Sequence, residues 1–171
     1  MSRRIYLTVK DEPDPMKTIE PDFGSVAVLM FYANSIHPAM TENMIYSLLS
    51  EYDYRMKKEL PAEDYTDDNF SGHSNMEEIN EIIRFINNKL LPSLKNEPQD
   101  LDLVFDIFGG AECFLDAYYN VLHLGIMGIA ENDLPEGYAG YIPNLFDKAV
   151  LLRDFYKRVI DMERGYEVYT Q

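Results

Sequence analysis

The chain has 171 residues, 46% of them hydrophobic, with 30 acidic against 15 basic side chains and a formal net charge of −15. This length and apolar content fit one domain with a sizeable core and exclude a disordered chain. Such a charge repels phosphates and anionic lipid surfaces, which argues against nucleic acid or membrane as a direct partner and favours basic protein surfaces or cations.

Cys113 is the only cysteine, so no intrachain disulfide can form, which suits a reducing compartment. The apolar run after Arg3 and Arg4 is too short for a signal-peptide core, and no stretch is long and charge-free enough to span a bilayer. A cytoplasmic location is the default expectation.

Residues 4 to 9 alternate and are rich in β-branched and aromatic types, which predicts a short strand. Lys10 to Asp22 holds Pro13, Pro15 and Pro21 among acids, which predicts a loop or arm. Ser25 to Ile36 is nearly all apolar and reads as a helix capped by Ser25, with Val26, Leu29, Met30 and Ala33 inward; a buried strand is the alternative. Pro38 is expected to close it.

Thr41 to Leu60 reads as a helix with Thr41 as N-cap and Ile45, Leu48, Leu49, Tyr52, Met56 and Leu60 at helical spacing. A polar acidic loop follows from Pro61 to Gly72. Ser74 and Glu77 match a capping box, and the helix behind it is expected to run to Leu91, with Ile79, Ile82, Ile83, Ile86 and Leu90 on one face. Pro92 and Pro98 are then expected to bracket a short connection.

Residues 96 to 147 are the centre of this reading. They contain no Lys or Arg, carry ten carboxylates, and hold the most apolar run of the chain, Leu101 to Ala130. Residues 99 to 108 have a strand alternative, but Asp102 and Asp106 share one side of a helical wheel, while Leu101, Val104, Phe105 and Phe108 share the other. Ala111 to Glu131 is the predicted central helix and Asn132 to Pro143 a loop. Asn144 to Arg164 is the last predicted helix, with Lys148, Arg153, Lys157 and Arg158 placed to face the acidic stretch and Gly165 as its stop. Tyr166 to Thr170 is expected to pair with residues 4 to 9. The sum is a mainly α single domain, residues 1 to 171, of about six helices with a short β-pair from the termini; an α+β domain is the alternative.

Three constellations bear on chemistry. Glu112, Asp116, Tyr119, Asn120 and His123 share one sector of the central helix. A carboxylate beside a histidine suits a divalent metal or a proton shuttle, so a small metal-binding hydrolase using Glu112, Asp116 and His123 is one reading. Asp116 and His123 stand about two turns apart, however, and no second ligand pair at diagnostic spacing joins them. A solvated helix face accounts for the same residues, and no catalytic residue, metal or cofactor is assigned. The second constellation, Asp67 to Glu78, resembles an EF-hand calcium loop by spacing: Asp67, Asn69, Ser71, Gly72 and Glu78 fall at its positions 1, 3, 5, 6 and 12. It departs from that pattern at Phe70 and Ser74, lacks a directly entering helix after Pro61, and has no second copy, so a capping loop explains it without calcium.

The third is the acidic surface itself. Thirteen tyrosines supply contact area at low entropy cost, and carboxylates around them suit a Lys/Arg-rich partner. The sequence therefore predicts a non-enzymatic acidic binding protein that docks on and inhibits a basic protein, of the toxin-neutralising or nucleic-acid-enzyme-inhibitor kind. The expected contacts are Asp102, Asp106, Glu112, Asp116 and Tyr119.

Overall fold

A computed structural model describes residues 5–21, 23–49, 74–96 and 145–170. The predicted helices over residues 99 to 108 and Ala111 to Glu131, and the loop from Asn132 to Pro143, lie outside these residues. The described part is mostly helical and carries one two-stranded antiparallel sheet.

The two strands are the predicted terminal pair. β1 (Ile5–Val9) and β2 (Tyr166–Thr170) run antiparallel, with Leu7 opposite Val168 and Val9 opposite Tyr166. These four side chains are buried, so the period-two alternation of the sequence becomes one apolar face laid on the core. The segment after β1 is not a free arm. It turns at Asp11, whose φ is 58°, and forms a single 3-10 turn at Pro15–Lys17 capped by Asp14. It then returns along the other edge of β1, where Leu7 and Ile19 exchange two backbone hydrogen bonds of 2.9 Å.

α1 (Phe23–Ile36) is the nearly all-apolar run, and a helix rather than a strand. Its buried residues Val26, Leu29, Met30, Tyr32 and Ala33 fall at helical spacing. It begins two residues before Ser25, so Ser25 lies in its first turn and is not its cap.

α2 (Pro38–Ser47) corrects the sequence reading twice. Pro38 opens this helix instead of merely closing the previous one. A first-turn N–H has no intrahelical partner in any case, so proline costs nothing there. The cap is His37, whose Nδ1 accepts the Met40 N–H at 3.1 Å, while Thr41 is buried inside the helix and donates to the His37 carbonyl. The second correction is at the far end: the helix stops at Ser47, and Leu48 forms a turn, so the predicted continuous helix to Leu60 is broken there. Residues 50 to 60 lie outside the described set.

α3 (Met76–Phe85) is capped one residue later than the predicted Ser74–Glu77 box. Asn75 Oδ1 accepts the Glu78 N–H at 2.9 Å, and Asn75 Nδ2 donates to Glu78 Oε1 at 3.0 Å. The reciprocal logic is that of a capping box, moved by one position. The helix then passes through Pro92 instead of ending before it. A π-helical turn at Ile86–Leu90 leads directly into α4 (Leu91–Asn96). An α-helical proline loses one hydrogen bond and collides with the carbonyl four residues back. Here the Leu91 N–H bonds to Ile86 O across the wider turn, and Pro92 stands in the opening turn of α4.

α5 (Leu145–Met162) buries Leu145, Ala149, Leu152, Phe155, Tyr156 and Val159. Its terminus is not made by Gly165: Glu163 adopts the left-handed conformation, with φ 51°. Gly165 serves a close approach instead, since its carbonyl accepts the Lys10 N–H at 2.8 Å and a Cβ there would lie 3.1 Å from the Lys10 side chain. Among the described residues, the α segments make four continuous helices, counting α3, its π turn and α4 as one. α1 packs on α2 and α5; α3 packs on α2 and α5. The core lies among these helices and the inner face of the β-pair.

Candidate functional site

The residues with which the sequence reading built its binding surface, Asp102, Asp106, Glu112, Asp116 and Tyr119, lie outside the described residues. So do His123, Cys113 and the stretch Asp67 to Gly72. What the structure does place are two buried polar constellations that the sequence pattern did not reveal.

The first is a hydroxyl cluster at the meeting point of α2, α5 and β2. Ser47 Oγ donates to the Met44 carbonyl at 2.5 Å, which leaves its lone pairs for the Tyr156 hydroxyl, also at 2.5 Å. The Tyr166 hydroxyl donates to the Ser47 carbonyl at 2.7 Å. The carbonyl thus satisfied is one that the end of α2 leaves without an intrahelical donor. Around the hydroxyls, Phe155, Tyr156 and Tyr166 meet edge to face, with ring centroids 5.8 to 6.4 Å apart. Burial raises the Tyr156 hydroxyl above its ordinary range, against the opposing hydrogen bond with Ser47. Burial also raises Tyr166 well above its usual value, and the neighbouring Tyr156 adds to this, while Ser74 opposes it. Both phenols are therefore held neutral. They act as hydrogen-bonding core groups and not as acids at neutral pH.

The second constellation is a charged latch. The Glu12 side chain is only 3% exposed, although it belongs to the proline-rich acidic segment. Its carboxylate pairs with the Arg158 guanidinium of α5, accepts the Asp14 N–H at 3.1 Å, and lies 3.8 Å from Lys17 Nζ. Arg158 also donates to the Lys17 carbonyl at 3.2 Å, so one side chain grips both ends of the turn between Glu12 and Lys17. Arg153 bonds Asp154 and Asn87. Two of the four basic residues of the last helix that were expected to face the acidic stretch thus have partners elsewhere.

Sequence reasoning placed Tyr156 in the last helix and Tyr166 in the last strand but missed their hydroxyl chemistry. The one available signal was that a buried tyrosine needs a polar partner for its hydroxyl. Glu12 offered no signal, because its partner is 146 residues away. Glu78, the would-be twelfth calcium-loop position, accepts a hydrogen bond from Asn75.

Charge is distributed unevenly between the described residues and the rest. The described residues hold thirteen acidic and ten basic side chains, a net of −3, so −12 of the chain's −15 belongs to the remaining sequence. Residues 97 to 144 alone hold nine carboxylates and no Lys or Arg. Among the described residues no group of three or more His, Cys, Asp or Glu side chains is placed to hold a metal ion, and no helix is long and apolar enough to cross a membrane. Comparison of the chain with family models, with curated proteins and with solved structures returned no match.

Proposed function

We propose that this is a non-enzymatic acidic binding protein that docks on a basic protein surface and blocks it. The observation that carries the reading is the distribution of charge along the sequence: residues 97 to 144 hold nine carboxylates and no Lys or Arg. Uncompensated charge of one sign raises association rates by about 10- to 1,000-fold and selects partners of the opposite sign. Targets with basic clefts, such as nucleic-acid enzymes and toxins, fit this chemistry, and a reducing cytoplasm suits a chain with one cysteine. Asp102, Asp106, Glu112 and Asp116 are the proposed charged contacts, and Tyr119 the apolar one.

The test begins with affinity capture from cells that make the protein, followed by stopped-flow association with the captured partner. Asp102→Lys with Asp106→Lys should slow association about tenfold or more at low salt. The difference should shrink as ionic strength rises, because the screening length falls to about 8 Å at physiological salt. A double variant that associates at the wild-type rate at low salt would sink the proposal.

A further inference from the structure

We infer that His37 is an acid-sensitive joint between α1 and α2, which caps α2 while its imidazole is neutral and releases that cap when the ring takes up a proton. The backbone of this one residue links both helices. Its N–H donates to the Ala33 carbonyl of α1 at 2.9 Å, and its own carbonyl accepts the Thr41 N–H and the Thr41 hydroxyl, each at 3.0 Å. The side chain adds the bond that can titrate. Nδ1 accepts the Met40 N–H at 3.1 Å, so it carries no proton and the ring is the Nε2–H tautomer. The ring also meets Phe85 of α3 edge to face, with centroids 5.9 Å apart.

A protonated imidazole donates at both nitrogens and cannot accept from Met40. The hydroxyl and carboxamide caps that helices commonly use do not titrate in the neutral range, whereas histidine changes its charge between pH 5 and 8. Nothing charged nearby holds the ring in either state by pairing with it. α1 contains no charged residue, and α2 carries only Glu42, which is exposed. Glu77, Glu78, Glu81, Arg84 and Lys89 share with Phe85 the helix that runs through the π turn. None of them pairs with His37, which takes part in no ion pair among the described residues. The positive charge gained on acidification therefore meets the N-terminal end of α2 with no carboxylate to anchor it. The C-terminal end of α1, at Ile36, offsets part of that repulsion, so the lost acceptor decides the outcome.

The experiment compares the full chain with His37→Asn, whose carboxamide supplies an acceptor that does not titrate. Urea unfolding is measured for both proteins at pH 8 and at pH 5.5. Titration of the carboxylates and of the other histidines is common to both, so the comparison isolates His37. The cap needs the neutral ring, so its contribution is present at pH 8 and lost on acidification. Between the two pH values the wild type should lose about three- to fivefold in its folding equilibrium relative to the variant, the size of one helix cap. In NMR spectra over the same range, the Met40 amide proton should move in step with the His37 ring protons in the wild type and stay in place in His37→Asn. The joint is overturned if the two proteins keep the same ratio of stabilities at both pH values, or if the Met40 amide moves equally in both.

Discussion

The hydroxyl cluster and the charged latch solve the same problem by opposite means. Both tie chain segments more than a hundred residues apart, and both put polar atoms out of water. The cluster uses neutral groups deep in the core, where each donor meets an acceptor and no charge needs solvation. The latch uses a carboxylate and a guanidinium at the margin, where Arg158 remains 26% exposed while Glu12 is covered. Neutral hydroxyls cost modestly to bury once they are paired, whereas a buried charge is tolerable only while its partner stays. Breaking the cluster should therefore be graded, and breaking the latch abrupt.

Alkali should separate the two most clearly. Burial raises both tyrosines, so above pH 10 the unfolded chain loses phenolic protons that the folded chain keeps. The stability they contribute is present below pH 10 and is lost as pH climbs toward the folded values, by up to about 1.4 kcal/mol per pH unit for each tyrosine. Denaturant unfolding between pH 9 and 12 should show a slope that Tyr156→Phe and Tyr166→Phe each reduce. Arg158→Met should leave that slope unchanged. An unchanged slope in both tyrosine variants would contradict the cluster's burial.

The latch should show the next largest effect. Arg158→Met leaves the Glu12 carboxylate covered and without its guanidinium, and should destabilise the fold by about 2 to 3 kcal/mol in urea at neutral pH, toward the low end for a buried pair because Arg158 is partly exposed. The double variant with Glu12→Gln should recover part of this loss. If Arg158→Met costs no more than an ordinary surface substitution, the latch is not a buried ion pair in solution.

Smaller still are the caps. Asn75→Ala and His37→Ala should each cost about 1 kcal/mol, and His37→Asn should recover most of the second loss, because asparagine can supply the same acceptor. Thermal melts resolve differences of this size. Lys17→Ala should fall within about 0.5 kcal/mol of wild type, since its ammonium stands 3.8 Å from Glu12 and is 53% exposed. A larger loss there would shift the weight of the latch from Arg158 to Lys17.

The elements that were legible in the sequence are those in which a single period runs unbroken. The alternation of residues 4 to 9 predicted a strand, Tyr166 to Thr170 was expected to pair with it, and that pair forms. The predicted last helix, Asn144 to Arg164, forms over Leu145–Met162. Errors gathered where one residue has two meanings. Pro38 and Pro92 both read as stops, yet a first-turn position and a π turn accommodate them. Asn75 and Ser74 are both good caps by sequence, and it is Asn75 that accepts the Glu78 N–H. Glu163 takes the left-handed position that Gly165 seemed made for. Of the polar constellations only the need of a buried tyrosine for some polar partner was readable, because hydrogen bonds between α5 and the turn after β1, or between β2 and α2, leave no local pattern. The acidic contact residues rest on sequence alone, since they lie outside the described residues.

The β1–β2 ladder also sets an order in time. β2 is synthesised about 160 residues after β1, which at ribosomal rates of about 5 to 20 residues per second is a delay of roughly 8 to 30 s. Throughout that interval the β2-facing edge of β1 is unpaired, and an unpaired strand edge is a template for pairing with other chains. The Leu7–Ile19 bridge spans only twelve residues, so it is available to the nascent chain from the start. It engages the N–H and carbonyl of Leu7 on one edge of β1 while the other edge waits for β2.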